Sequence, residues 1–147
     1  SRFVILFIPL VLSSPTLPLQ AISVKGKLKC GQFALTGTVV KLIDIDLNDK
    51  DDLLDVGLTD ENGLFSLTGH TREDEVMQSA LKIYHNCGDR VAIHESANDK
   101  KKKVCAKKVV WEIPVEYNTD GTVTKWFDVG EVNMELTFRG QERDCRH

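Results

Sequence analysis

The chain has 147 residues, which is the length of one ordinary domain. It carries 19 lysine and arginine residues against 22 aspartate and glutamate residues, which gives a formal net charge of −3. Because nucleic-acid binding depends mainly on contacts between basic side chains and phosphates, this acidic balance excludes a general nucleic-acid-binding protein.

The first 21 residues have the layout of a secretory signal peptide. Arg2 provides a cationic start, the stretch from Phe3 to Leu12 is largely apolar, and Ala21 is a small residue suited to a cleavage site. The apolar stretch is too short for a membrane-spanning helix, which needs about 20 residues, and no second one follows. We therefore expect residues 1–21 to be removed, and residues 22–147 to form a secreted, extracellular domain.

Four cysteines lie in the expected mature part: Cys30, Cys87, Cys105 and Cys145. An even number of cysteines behind a secretory segment predicts two disulfides, and four cysteines allow three connectivities. Neither the cysteines nor the four histidines have the close spacing of a zinc site. We therefore expect no bound metal and no cofactor.

An acidic stretch has part of the spacing of a calcium-binding loop. Its oxygen-bearing residues are Asp44, Asp46, Asn48 and Asp55. However, Asp49 stands where the sharp turn needs glycine, and Asp55 stands where a bidentate glutamate is needed. The sequence therefore predicts a solvated loop, with loose calcium binding by a carboxylate cluster as the alternative.

Short segments with period-two alternation recur along the chain, and no long segment has a helical period. Asn62-Gly63 between two apolar runs predicts a hairpin turn. We therefore expect an all-β fold, an antiparallel β-sandwich of about seven to eight strands. The predicted strands are Ser23–Cys30, Thr38–Asp46, Leu54–Thr59, Leu64–Thr68, Leu81–His85, Lys107–Pro114, Val123–Phe127 and a last segment with Val132, Met134, Leu136 and Phe138 on one face.

A basic cluster stands out against the acidic composition. Lysines near an anionic membrane surface contribute about 1 kcal/mol each, so the cluster is a candidate contact for anionic lipid or an acidic partner. The alternative is a solvated loop, which is the usual role of a charge run. The candidate contact residues are Arg90, Lys100, Lys101, Lys102, Lys103, Lys107 and Lys108.

Several motifs, taken in chain order, resemble the nematode transthyretin-like family. They begin with Val-Lys-Gly-Lys-Leu-Lys-Cys-Gly at residues 24–31 and end with Glu-Arg-Asp-Cys-Arg-His at residues 142–147. The resemblance covers the whole expected mature chain, although residues 88–104 are longer and more charged than the family pattern suggests. Between these ends lie Asp-Asp-Leu-Leu-Asp at 51–55, Ser-Leu-Thr-Gly at 66–69, Leu-Lys-Ile-Tyr-His at 81–85 and Phe-Asp-Val-Gly at 127–130.

The resemblance implies a transthyretin-like (prealbumin-type) β-sandwich that is disulfide-bridged and secreted and has no enzyme activity. In such a sandwich the first strand and the tail can lie close together. We therefore expect the disulfides Cys30–Cys145 and Cys87–Cys105, the second of which would close the lysine-rich loop.

For function, the sequence favours an extracellular binding or bridging protein with an unknown extracellular or cell-surface partner. One alternative is a carrier of a small apolar ligand, which would need a channel between subunits. A ureide hydrolase is the remote alternative. Phe138-Arg139-Gly140-Gln141 only partly echoes the terminal motif of such enzymes, and the first strand lacks their histidine.

Overall fold

The computed structural model describes residues 2–6, 16–46, 50–89 and 105–146. Within these ranges the chain forms nine strands and one short 3-10 helix, Val115–Tyr117, and no α-helix. The strands are β1 (Leu19–Cys30), β2 (Phe33–Ala34), β3 (Val39–Asp44), β4 (Asp52–Leu58), β5 (Leu64–Arg72), β6 (Ser79–His85), β7 (Ala106–Glu112), β8 (Trp126–Asn133) and β9 (Glu142–Asp144).

The strands form two sheets. In the first, β1 pairs with β2 and β5 in antiparallel orientation and with β8 in parallel orientation. The second has the order β4-β3-β6-β7-β9 and is antiparallel throughout. The predicted all-β sandwich is therefore confirmed, with one parallel pair as a departure from a purely antiparallel arrangement.

Alternating apolar residues bring the two sheets together. In β1, Val24 and Leu28 are fully buried, whereas Lys25 between them is exposed. In the opposite sheet, Leu81 and Ile83 are fully buried in the same core cluster. Because successive side chains of a strand point to opposite faces, one alternating pattern supplies both the core and the solvated surface.

The sequence misplaced the last part of the fold. Two strands were predicted around Val123–Phe127 and Val132–Phe138, but the structure has the single strand β8 there. The chain turns after Asn133, so Met134 is buried while Leu136 is exposed. An apolar alternation of four residues is short enough to occur in a turn that packs against the core.

The disulfide pairing predicted from the sequence is wrong. The structure contains Cys30–Cys87 and Cys105–Cys145, with Cα atoms 5.6 and 4.5 Å apart. The prediction placed the tail beside the first strand. Instead the tail forms β9 and pairs with β7, where Ala106 lies opposite Asp144. This register brings Cys145 to Cys105, and leaves Cys30 at the end of β1 to bridge to the opposite sheet.

The strand β1 extends across the expected signal-cleavage position. It begins at Leu19, and Ala21 lies opposite His70 in the ladder with β5. Cleavage after Ala21 would leave Ile22, which is buried in the core, as the first residue of a β1 shortened by three residues. Residues 3–6 are at least 74% exposed, so they contribute nothing to the core.

Candidate functional site at the disulfide end

The densest polar cluster described lies where β6, β7 and β9 meet the two disulfides. Arg143 of β9 donates two hydrogen bonds to the carboxylate of Asp89, both 2.6 Å long. The same guanidinium donates to the backbone carbonyl of Cys105 at 2.9 Å. Lys107 Nζ donates to the carbonyl of Cys87 and lies 3.8 Å from Asp89. We call Asp89, Lys107 and Arg143 the base cluster.

The carboxylate of Asp89 is held in its ionised form. Hydrogen bonds from Arg143 hold the pKa of Asp89 well below its usual range, against the opposing effect of burial. The planar guanidinium matches the two carboxylate oxygens, which makes this type of ion pair both strong and directional. The Arg143–Asp89 pair of the base cluster is therefore fixed in geometry, and the Asp89 carboxylate is ionised at neutral pH.

The base cluster joins the two ends of the basic stretch predicted as a contact site. Asp89 immediately precedes residues 90–104 and Cys105 immediately follows them, and Arg143 bonds to both. The structure therefore fixes both ends at one place, through Arg143 and not through the predicted Cys87–Cys105 disulfide. Five of the predicted contact residues lie outside the described residues: Arg90, Lys100, Lys101, Lys102 and Lys103.

Lys107 and Lys108 do not form a joint basic patch. They are consecutive residues of β7, so their side chains point to opposite faces of the sheet. Lys108 lies 2.6 Å from Glu142 and 3.7 Å from Asp144, and the hydrogen bond that it donates to Glu142 raises the pKa of Lys108. Both lysines have acidic partners and are about four-fifths buried, so neither is available as an isolated cation.

A buried histidine lies beside the base cluster. His85 ends β6, as predicted, but it is only 2% exposed and is not a surface residue. Its Nδ1 accepts a hydrogen bond from the Cys87 N–H at 3.1 Å, and its Nε2 has no partner among the described residues. Burial, and secondarily the charge of Lys107, lowers the pKa of His85 to about 4. The ring is therefore neutral at neutral pH.

A second polar cluster is acidic and was only partly foreseen. Asp44, which falls both in the predicted strand Thr38–Asp46 and in the calcium-like spacing, is buried at the end of β3 and hydrogen-bonds with Glu73. Asp52 and Glu75 line the same small cleft. Asp55 lies elsewhere, where it accepts hydrogen bonds from two backbone N–H groups. Within the described ranges, no group of three or more acidic, histidine or cysteine residues has the geometry to hold a metal.

The Asp44–Glu73 pair should make the stability of the protein depend on pH. Burial, and then the neighbouring charge of Asp44, raises the pKa of Glu73 from 4.5 to about 6. Between these values the folded state binds a proton that the unfolded state lacks, so the free energy of unfolding falls as the pH rises through this window. A pKa shift of this size changes the free energy of unfolding by about 2 kcal/mol for a fully buried carboxyl. Because Glu73 is partly exposed, we expect about 1 kcal/mol.

We therefore expect Glu73→Gln to raise the free energy of unfolding by about 1 kcal/mol at pH 7.4 and to have little effect at pH 4.5. The glutamine amide donates to Asp44 without needing a proton from solvent. Urea denaturation at the two pH values measures the difference, with Glu61→Gln in the exposed turn between β4 and β5 as the control. Because His85 titrates in both proteins, its contribution cancels. Equal effects of Glu73→Gln at both pH values would contradict the assignment.

Neither polar cluster was visible as a motif in the sequence. Asp89 and Arg143 are 54 positions apart, and Asp44 ends β3 of the second sheet whereas Glu73 immediately follows β5 of the first. No spacing rule connects such residues, because only the packing of the strands brings them together. Arg143 was part of the tail that carried the family resemblance, but nothing in the sequence indicated its partner.

A profile of the transthyretin-like family, TTR-52, matches residues 25–114. Transthyretin-like protein 33 of Caenorhabditis elegans is 39% identical over 97% of this chain and 93% of its own length. Transthyretin-like protein 46 of the same organism is 42% identical over 85% of this chain and 65% of its own length.

Among solved structures, a 9R-lipoxygenase from Cyanothece aligns with a TM-score of 0.41 and 19% identity, over 77% of this chain and 16% of that one. Likeness at this level has no bearing on the function of the chain. No helix among the described residues is long and apolar enough to cross a membrane. The two-sheet sandwich, its two disulfides and the extent of the family match lead to one conclusion: this chain is a member of the transthyretin-like family.

Proposed function

We propose that this protein is a secreted, non-enzymatic binding protein that contacts anionic phospholipid on a cell surface through residues 90–104. Residues 1–21 would act as the signal peptide. Membership of the transthyretin-like family supports a binding protein of extracellular type, and its relatives are named as transthyretin-like proteins and not as enzymes. The observation that carries the contact site is the bonding of Arg143 to both Asp89 and the Cys105 carbonyl.

This bonding supports the proposal because it holds the two residues that flank the basic stretch, Asp89 and Cys105, in fixed positions. Residues 90–104 contain five basic and two acidic residues, a net charge of +3 on a protein that is otherwise acidic. The base cluster and the Cys105–Cys145 disulfide tie both ends of the stretch to the rigid second sheet. Basic groups attached at one end of a sandwich can approach an anionic surface together, and their contributions then add.

The ion pairs of β7 reduce the number of residues that we propose as lipid contacts. Lys107 and Lys108 were predicted contacts, but both are engaged by carboxylates of the protein itself. Releasing Lys108 would remove the cation paired with Glu142 and Asp144, and releasing Lys107 would break its hydrogen bond to the Cys87 carbonyl. The proposed contact therefore depends on Arg90 and on the four lysines at 100–103.

Flotation of vesicles with and without phosphatidylserine tests this proposal. We expect the wild-type chain to float with vesicles that contain phosphatidylserine and not with phosphatidylcholine alone. Changing Lys100, Lys101, Lys102 and Lys103 to Gln should reduce the apparent affinity by at least about tenfold, since each lysine contributes about 1 kcal/mol near such a surface. High salt should weaken binding in the same way.

The matched control removes four lysines from another part of the molecule. Lys25, Lys27, Lys29 and Lys125 lie on β1 or in the turn before β8, and their change to Gln alters the net charge equally. If this control loses as much binding as the first variant, attraction to overall charge explains the result. Equal flotation of the wild-type chain with both kinds of vesicle would remove the lipid proposal.

A further inference from the structure

The two disulfides differ in their access to solvent. Cys87 is only 3% exposed and belongs to the core cluster, and Cys30 packs against that cluster. Cys145 is exposed, and its partner Cys105 is half-buried. A thiolate reductant must reach a sulfur atom in line with the bond that it breaks, so access controls the rate of reduction.

The strand next to the exposed disulfide is short and lies at the edge of its sheet. β9 has three residues, and among the described strands its only neighbour is β7. Its side chains form ion pairs in which Glu142 and Asp144 contact Lys108, and Arg143 contacts Asp89. Non-covalent links of a short edge strand open and close reversibly, so the disulfide, which is covalent, is the restraint that keeps the end of β9 beside β7.

We propose that Cys105–Cys145 is a selectively reducible disulfide that latches β9 to β7. A dithiol reductant attacks the Sγ of Cys145, the exposed residue of the pair, which forms a mixed disulfide and releases Cys105 as a thiolate. The second thiol of the reductant then displaces Cys145 and closes the oxidised cyclic reductant. The chain gains two electrons and two protons, and the Cys30–Cys87 disulfide stays intact.

Reduction of this latch has a defined structural result. β9 separates from β7, and the backbone edge from Ala106 to Lys108 loses its antiparallel partner. The Arg143 link to Asp89 and to the Cys105 carbonyl is lost with it. An unpaired edge strand is a site where another strand can add, so the redox state of one disulfide decides whether this edge is open.

Graded reduction of the wild-type chain tests the proposal. The protein is incubated with increasing dithiothreitol, alkylated with iodoacetamide and mapped by mass spectrometry without further reduction. We expect Cys105 and Cys145 to be alkylated at a dithiothreitol concentration at least about tenfold below that needed for Cys30 and Cys87. Reduction of both disulfides together, or of Cys30–Cys87 first, would overturn the proposal.

Hydrogen exchange on the partly reduced protein provides the second readout. We expect faster exchange at residues 106–108 and 142–144, and unchanged exchange in β1 and β6. Protection of β9 that survives reduction would show that the disulfide is not its latch. Neither readout involves lipid, so the outcome is independent of the proposed membrane contact. Because both use the wild-type chain, they remain decisive even if a Cys105→Ser, Cys145→Ser variant fails to fold.

Discussion

Replacing both Cys30 and Cys87 by serine is expected to lower the free energy of unfolding by about 4 kcal/mol. The bridge joins residues 57 positions apart, and the chain-entropy model assigns a loop of this length about 4 kcal/mol. It also connects the end of β1 in one sheet to the residue two positions after β6 in the other. Urea denaturation followed by circular dichroism measures the loss, at neutral pH and without reductant.

The matched control for this prediction is the double variant Cys105→Ser, Cys145→Ser. This bridge spans 40 positions, so the chain-entropy model assigns it a similar value of about 4 kcal/mol. The two variants should differ in where the native state loosens. Loss of Cys30–Cys87 should speed hydrogen exchange in β1 and β6, whereas loss of Cys105–Cys145 should affect β7 and β9. A loss below about 1 kcal/mol for the first variant would contradict its role as the link between the sheets.

Replacing Gly63 by alanine is expected to destabilise the protein by about 3 kcal/mol. Gly63 ends the turn between β4 and β5 with φ at +79°, a conformation that costs a residue with a side chain about 1–2 kcal/mol. An added Cβ would also lie 2.2 Å from the carbonyl oxygen of Leu28, which is part of the backbone and cannot rotate away. Relief of that clash requires β1 and the turn to separate, at a further cost of about 1–3 kcal/mol.

Gly37→Ala separates the two causes of this loss. Gly37 has φ at +68°, but nothing lies within 4 Å of the position of an added Cβ. Its substitution should cost only the conformational term, about 1–2 kcal/mol. Thermal or urea denaturation of the two variants measures the difference. If both variants lose the same stability, the contact with Leu28 has no energetic weight and the turn is free to adjust.

The turn at Gly63 shows how far local sequence reasoning reaches in this protein. Asn62-Gly63 between two apolar runs predicted a hairpin, and the structure does have a turn there between β4 and β5. The two strands do not form a hairpin, because β4 pairs with β3 in the second sheet and β5 pairs with β1 in the first. The carboxylate of Asp60 accepts hydrogen bonds from the N–H groups of Asn62 and Leu64, which closes the turn locally. These interactions occur within five residues, so the sequence contains all the information that they need.

The candidate contact site could be predicted only in part. Its basic residues are visible in the composition, but two of them, Lys107 and Lys108, have acidic partners in the structure. These partners are Asp89, Glu142 and Asp144, which are distant from the lysines in the sequence and come close to them only in the fold. A charge run is visible as a pattern, but the partners that neutralise it depend on which strands become neighbours.

The β-sandwich class, the family, the faces of the main strands and the presence of two disulfides could all be predicted from the sequence. Each of these depends on a local period, a short motif or a count of cysteines. The pairing of the cysteines, the bonding of Arg143 to Asp89 and the burial of Asp44 beside Glu73 became known from the fold. The first two follow from the path of the tail, because β9 pairs with β7 instead of returning to β1, and no local pattern specifies which edge of a sandwich a three-residue strand will join. The third depends on which strand ends the packing of the two sheets brings together.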